Sequence, residues 1–386
     1  MLRCSKDASS GRLTPLDELE HLVPSISDTI RRLQSGKLAE AIKAPSGHGR
    51  LVSAPSFEPN PGALNGWRHV PDGVTGMALV VVLHGCTQTA AAYDHGSGWS
   101  ELAERHGFAV LFPEQRRANN PNLCFNWFSE EDTRRDEGEA LSIRRMIEAM
   151  IDDHPIDPAR VFITGLSAGG AMTSVMLATY PEVFAAGGII AGLPHGAAAS
   201  VPQALERMQG RGHPSAATYA GRVRDASPHR GPWPRISVWH GNADATVRPG
   251  NADAVIGQWR ELHGVGTAPD RVETVDGHQR EVWLDAQGRE VIDHYRIAGM
   301  GHGTPLKTGG EGVCGVAGPH MLEAGISSTL HLARNWGLLR DVPRTCAPAE
   351  IEHRKPDPAS QPARGHPASG VQATIEAALR SAGLMR

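Results

Sequence analysis

Three short stretches carry side chains that together could perform nucleophilic chemistry. Ser167 sits in "GLSAG", Asp244 in "GNADATV" and His302 in "GMGHG". A serine hydroxyl is a weak nucleophile until a base takes its proton. Histidine is the side chain best suited to do so near neutrality, and a carboxylate can hold its imidazole in the required tautomer. The types occur in the order serine, acid, histidine, which is the order a strand-to-helix nucleophile elbow calls for. The chemistry would be acyl transfer. His302 lies between Gly301 and Gly303 after a strand-like segment, which suits an imidazole on a loop. His240 is the competing base, but it falls within or at the end of a strand. Asp253 is the competing acid, but it falls in a helical run and is expected to be solvated. The other histidines read as surface or structural residues.

Acyl transfer also needs donors for the oxyanion. One should be the N–H of the residue after the nucleophile, Ala168, and the other an N–H from the loop after an earlier strand. That loop is "LHGCTQT", which makes Cys86 the expected donor, with Thr87 next. The alternative reading of "GLSAG" is an ordinary Gly-rich turn.

The elements around these residues favour the elbow. "RVFIT" is a β-branched and aromatic run, as in a buried strand, and "AMTSVMLATY" has helical spacing and stops at Pro181. Gly165 and Gly169 would spare the turn a steric clash. "MALVVVLHG" is nearly continuous in apolar residues, as expected of a strand covered on both faces. "ELAERHG" reads as a helix and "FAVLFPE" as a strand. "DEGEALSIRRMIEAMIDD" places Leu141, Ile143, Met146, Ile147 and Met150 at amphipathic spacing. "FAAGGIIAGL" and "RISVWHG" are further strands. Alternating strands and helices predict an α/β fold with a mainly parallel sheet and helices on both faces.

Two segments interrupt the alternation. Residues 195–233 read as a lid-like insertion, and "REVWLDAQGREVIDHYRI" as a β-hairpin. The expected organisation is a polar leader with amphipathic helix over 1–63, a catalytic domain over 64–340, a Pro-rich linker over 341–369 and a terminal helix over 370–386. Lys+Arg 38 against Asp+Glu 42 implies no nucleic acid or anionic membrane as main partner. No run is long enough for a membrane span. The five cysteines, Cys4, Cys86, Cys124, Cys314 and Cys346, contain no CxxC pair and no zinc pattern. They read as reduced thiols of a cytosolic protein. No metal or cofactor is expected. The N-terminus has no apolar core of a signal peptide, so the expected location is cytoplasmic.

Taken in order, "LVVVLHGCTQTAAAYDHGSGWSELAERHGFAVLFPEQ", "NPNLCFNWF", "RVFITGLSAGGAMTSVMLATYPEVFAAGGIIAG", "ISVWHGNADATV", "GMGHGTPL" and "CGVAGPHMLEAGISSTLHLARNWGL" resemble the poly(3-hydroxybutyrate) depolymerase-type esterases. These have the α/β-hydrolase fold and are close to feruloyl and acetylxylan esterases. The resemblance covers roughly residues 64–340. It implies Ser167 as nucleophile, Asp244 as acid, His302 as base, and Cys86 and Ala168 as oxyanion donors. It also implies Trp127 as a wall for the acyl chain, with core packing as the alternative, and His84 joins it as a substrate-binding expectation. It suggests a bond between Cys86 and Cys124, against the all-thiol reading, and leans toward an extracellular location.

The resemblance implies ester hydrolysis through an acyl-enzyme, acting on a small or oligomeric ester or on a polyester. Secreted polymer-degrading members carry a signal peptide and a separate polymer-binding domain. Neither is read in this sequence, which turns the expectation toward oligomers and small esters. The alternatives are plant-wall aryl or acetyl esters, a serine peptidase of the same fold, and a non-catalytic binding protein. The last usually lacks a member of the triad.

Overall fold

A computed structural model describes residues 49–310 and 312–340. The expected leader helices, linker and terminal helix lie outside the described residues. The strands are β1 (Val52–Ser53), β2 (Asn65–His69), β3 (Met77–Leu83), β4 (Ala109–Glu114), β5 (Ile156–Leu166), β6 (Ala186–Ile190), β7 (Arg235–Gly241), β8 (Arg271–Val275), β9 (His278–Leu284), β10 (Glu290–Ile297), β11 (Thr304–Leu306) and β12 (Met321–Glu323). The helices are α1 (Ala90–Ser97), α2 (Trp99–His106), α3 (Glu130–Thr133), α4 (Gly138–Asp153), α5 (Ala168–Thr179), α6 (Val201–Met208), α7 (Ala216–Asp225), α8 (Gly250–His263) and α9 (Ser328–Asn335).

Ten strands form one sheet in the order β1-β2-β4-β3-β5-β6-β7-β10-β9-β8. From β4 to β10 the neighbours run parallel. The outer pairs at both edges run antiparallel. β3 explains the arrangement. Its whole run is buried. Leu79, Val81 and Leu83 enter the core on one face, and Ala78, Val80 and Val82 enter the other. Burying each such aliphatic side chain contributes roughly 1.5–3 kcal/mol, so a strand apolar on both faces is stable only in the middle of the sheet.

α4, α5 and α8 cover the first face, and α2 and α9 cover the second. α4 turns Ile143, Met146, Ile147 and Met150 inward, while Leu141 is half-buried. α5 is buried all round and stops before Pro181. The sheet starts earlier than residue 64, because β1 pairs with β2 and Leu51 is buried.

The 195–233 insertion contains α6 and α7. Gln258 of α8 ties it down, donating to the carbonyls of His195 and Tyr219 and accepting from the His195 N–H. The Arg248 N–H reaches the carbonyl of Met208, so the end of α6 is fastened to the loop after β7. β9 and β10 pair antiparallel, and β8 extends them to the sheet edge. No helix among the described residues is long and apolar enough to cross a membrane.

Candidate active site

Ser167 stands between the end of β5 and the start of α5, with φ 58° and ψ −116°. A non-glycine residue rarely adopts such a backbone, which costs on the order of 1–3 kcal/mol and persists only where its surroundings impose it. Glycines make the surroundings possible. A Cβ on Gly165 would lie 2.4 Å from the Gly169 carbonyl oxygen, and one on Gly169 would lie 2.3 Å from that of Leu83. The helix start therefore presses against the end of β3. The Ser167 N–H bonds the Ile190 carbonyl at 2.9 Å, tying the turn to β6.

Asp244 lies in the turn after β7 and is buried. Its Oδ1 accepts the N–H groups of Thr246 and Val247 at 2.8 and 2.9 Å. Its Oδ2 accepts from Nδ1 of His302 at 2.7 Å and faces Nε2 of His240 at 3.4 Å. Burial alone would raise this carboxyl. Hydrogen bonds from His240 and His302 outweigh it and hold the group well below the usual carboxylate range.

The His302 loop is stitched to the Asp244 turn. The N–H groups of Asn242 and Ala243 bond the carbonyls of Ile297 and Met300, and the Gly299 N–H bonds Oδ1 of Asn242. A Cβ on Gly241 would come within 2.2 Å of the Met300 carbonyl oxygen, so the close approach requires glycine. Held this way, His302 places Nε2 2.9 Å from Oγ of Ser167. Because Nδ1 donates to Asp244, Nε2 faces the hydroxyl as an acceptor.

The structure thus brings Ser167, His302 and Asp244 into one hydrogen-bonded line. The N–H groups of Cys86 and Ala168 have no hydrogen-bond partner among the described residues, whereas that of Thr87 is committed to the Asn122 carbonyl at 2.6 Å. Asp253 is on a solvated helix face, as expected, and there it pairs with Arg296.

Two expectations are corrected, and at Trp127 the packing that the sequence left open as the alternative is what is observed. His84 is only 1% exposed, and both ring nitrogens are taken, Nδ1 by the Gly85 carbonyl and Nε2 by the Gln115 N–H. It supports the loop and is not placed to touch substrate. Trp127 is 6% exposed and packs edge-on against Phe128 within the core, so packing accounts for most of its surface. Cys86 and Cys124 form a disulfide and only Cys314 is a free thiol among the described residues, which overturns the all-thiol reading.

Two histidines complete the surroundings: His240, weighed in the sequence as the competing base, and His320, which the sequence reading passed over. His240 is behind the acid, with Nε2 donating to the Val247 carbonyl at 2.8 Å. His320 packs edge-on to His302 at 5.9 Å and donates from Nδ1 to its carbonyl. Its φ of 60° was a further signal visible only in the structure.

The family model described as "Esterase PHB depolymerase" matches residues 68–281. The chain belongs to this esterase family. It is 44% identical over 292 residues to poly(3-hydroxyalkanoate) depolymerase C of Paucimonas lemoignei, covering 75% of this chain and 70% of that one. Probable acetylxylan esterase A of Aspergillus clavatus is 31% identical, with 67% of this chain and 85% of that one covered. Feruloyl esterase B of Talaromyces funiculosus is 29% identical, covering 66% of this chain and 73% of that one. Among solved structures, acetyl xylan esterase from Aspergillus awamori matches with a TM-score of 0.63 at 24% identity, covering 75% of this chain and 99% of that one. That match supports the α/β-hydrolase fold. As a member of this esterase family, the chain is a carboxylic ester hydrolase.

Proposed function

We propose that the chain hydrolyses 3-hydroxyalkanoate esters through an acyl-enzyme formed on Ser167. The observation that carries the reading is the line from Asp244 through His302 to Oγ of Ser167, with contacts of 2.7 and 2.9 Å. His302 takes the hydroxyl proton as Oγ attacks the ester carbonyl. Asp244 keeps the proton on Nδ1 and stabilises the imidazolium that forms. The N–H groups of Cys86 and Ala168 receive the oxyanion. His302 then protonates the departing alcohol, and water repeats the sequence to release the acid.

The substrate class is supported by the relative with 44% identity, whose name is that of a poly(3-hydroxyalkanoate) depolymerase. Acetyl or feruloyl esters of plant-wall polysaccharides are the second reading, supported by the relatives near 30% identity.

The test is a substrate panel with wild type and Ser167→Ala. p-Nitrophenyl butyrate and 3-hydroxybutyrate oligomers should both be cleaved, and the substitution should abolish both activities. Cleavage of acetylated xylan or feruloyl esters in preference to the oligomers would move the chain to the second reading. Full activity in Ser167→Ala would overturn the mechanism.

A further inference from the structure

Behind the Cys86 loop lies a buried polar cluster that the reaction does not use. At its centre is Glu139, the second residue of α4, with no exposed surface. No cation pairs with it among the described residues. An ionised carboxylate buried without a cation is costly unless hydrogen bonds compensate it. Three N–H donors converge on it. Oε1 accepts from Nε2 of Gln115 at 2.5 Å and Nδ2 of Asn126 at 2.8 Å, and Oε2 accepts the Asn126 N–H at 2.9 Å. Gly62 packs against the backbone at Glu139, where a Cβ would lie 2.5 Å from its Cα.

The residues that hold Glu139 are the same ones that hold the oxyanion loop. The Gln115 main-chain N–H donates to Nε2 of His84 at 3.1 Å, and Nδ1 of His84 donates to the Gly85 carbonyl at 2.8 Å. Nε2 of Gln115 also donates to the carbonyl of Cys124 at 3.0 Å. Cys124 is bonded to Cys86 through the disulfide. The Thr87 N–H reaches Asn122 in the same loop. His84, Cys86 and Thr87 are thus each fastened to Gln115 or to the 122–124 segment, Gly85 is held through the His84 ring, and both routes meet at Glu139.

We propose that Glu139 is a positioning residue for the reaction: acting through Gln115 and Asn126, it fixes the loop whose Cys86 N–H receives the oxyanion. The inference rests on the assignment of Cys86 under the proposed function. Its physical basis is that oxyanion stabilisation depends on donors preset at hydrogen-bond distance from where the charge develops. A buried anchor with three directional donors restricts such a loop more than apolar packing would.

The test is Glu139→Gln assayed at pH 9, where the buried carboxyl is ionised, so that the substitution keeps size and shape but sets an amide NH2 against converging N–H donors. Loss of one oxyanion donor typically costs about 10²–10³ in turnover, so partial displacement of the loop should lower kcat by about 10- to 100-fold. KM for p-nitrophenyl butyrate should change little. Inhibition by an alkyl boronic acid, whose tetrahedral serine adduct mimics the oxyanion, should weaken in parallel with kcat/KM. A merely structural role would lower the melting temperature and leave kcat and boronate affinity in place. Gln115→Leu severs the same link from its other end, and the double variant should be no slower than the slower single one. If Glu139→Gln does not fold, Asn126→Ala carries the same comparison. A folded variant with unchanged kcat and boronate affinity overturns the proposal alone. A wild type that neither cleaves the ester nor binds the boronate overturns the functional reading as well.

Discussion

Replacing Asp244 by asparagine changes a single atom in the buried line, and the structure dictates where that atom goes. Two N–H groups point at Oδ1 from 2.8 and 2.9 Å, so the amide must present its oxygen there. The amide nitrogen then occupies the Oδ2 position. There it meets Nδ1 of His302 and Nε2 of His240, and the latter is already a donor to the Val247 carbonyl. His302 can relieve the donor-to-donor contact by moving its proton to Nε2. In that tautomer Nε2 cannot accept the Ser167 proton. The same exchange in a serine triad costs about 10⁴ in kcat, which corresponds to about 5.5 kcal/mol of barrier. The expected result is a kcat for p-nitrophenyl butyrate reduced by about that factor, with KM changed far less and the fold intact by circular dichroism. A folded Asp244→Asn enzyme within tenfold of wild type would refute the tautomer argument and the assignment of Asp244.

Other outcomes follow from the surroundings of the site. Burial pushes the Glu139 carboxyl up to about 8 from its ordinary 4.5, against the pull of its hydrogen bonds. A raised acid binds its proton more tightly when folded, so this group contributes a stability that falls as pH rises from 4.5 toward 8 and is flat above. Urea unfolding from pH 5 to 9 should show that fall in wild type, and Glu139→Gln should flatten it; equal slopes would contradict it. Gly169→Ala would bring a Cβ to 2.3 and 2.5 Å from the carbonyl oxygens of Leu83 and His84, neither a side chain able to swing away. It should destabilise by about 1–3 kcal/mol or more, read as a lower melting temperature with reduced turnover. Thiol titration in denaturant without reductant should find at most three of the five cysteines reactive, and reduction should expose the Cys86–Cys124 pair. Five reactive thiols before reduction would remove the bridge.

What the sequence made legible was local. The Ser167 elbow could be read because its constraints fall within five residues, two of them glycines pressed against backbone. The β3 run could be read because burial on both faces leaves an unbroken apolar signature. β2 could not, since its residues are partly exposed and show no alternation. β11 and β12 are three residues each, too short for any period. His84 is a substrate-binding expectation that the structure does not support, because its burial depends on Gln115 and Phe125, which come from elsewhere in the chain. The convergence of Gln115 and Asn126 on Glu139 joins three separated segments, and no spacing rule brings them together.

The central claim is that Ser167 is the nucleophile, and covalent trapping tests it most directly. Wild-type enzyme would be treated with an alkyl fluorophosphonate, digested, and the adduct located by mass spectrometry. The account predicts one adduct per chain, on Ser167, with loss of esterase activity in proportion to labelling. Labelling should fall steeply in His302→Ala. An adduct on another residue, or full inactivation with Ser167 unmodified, would contradict it.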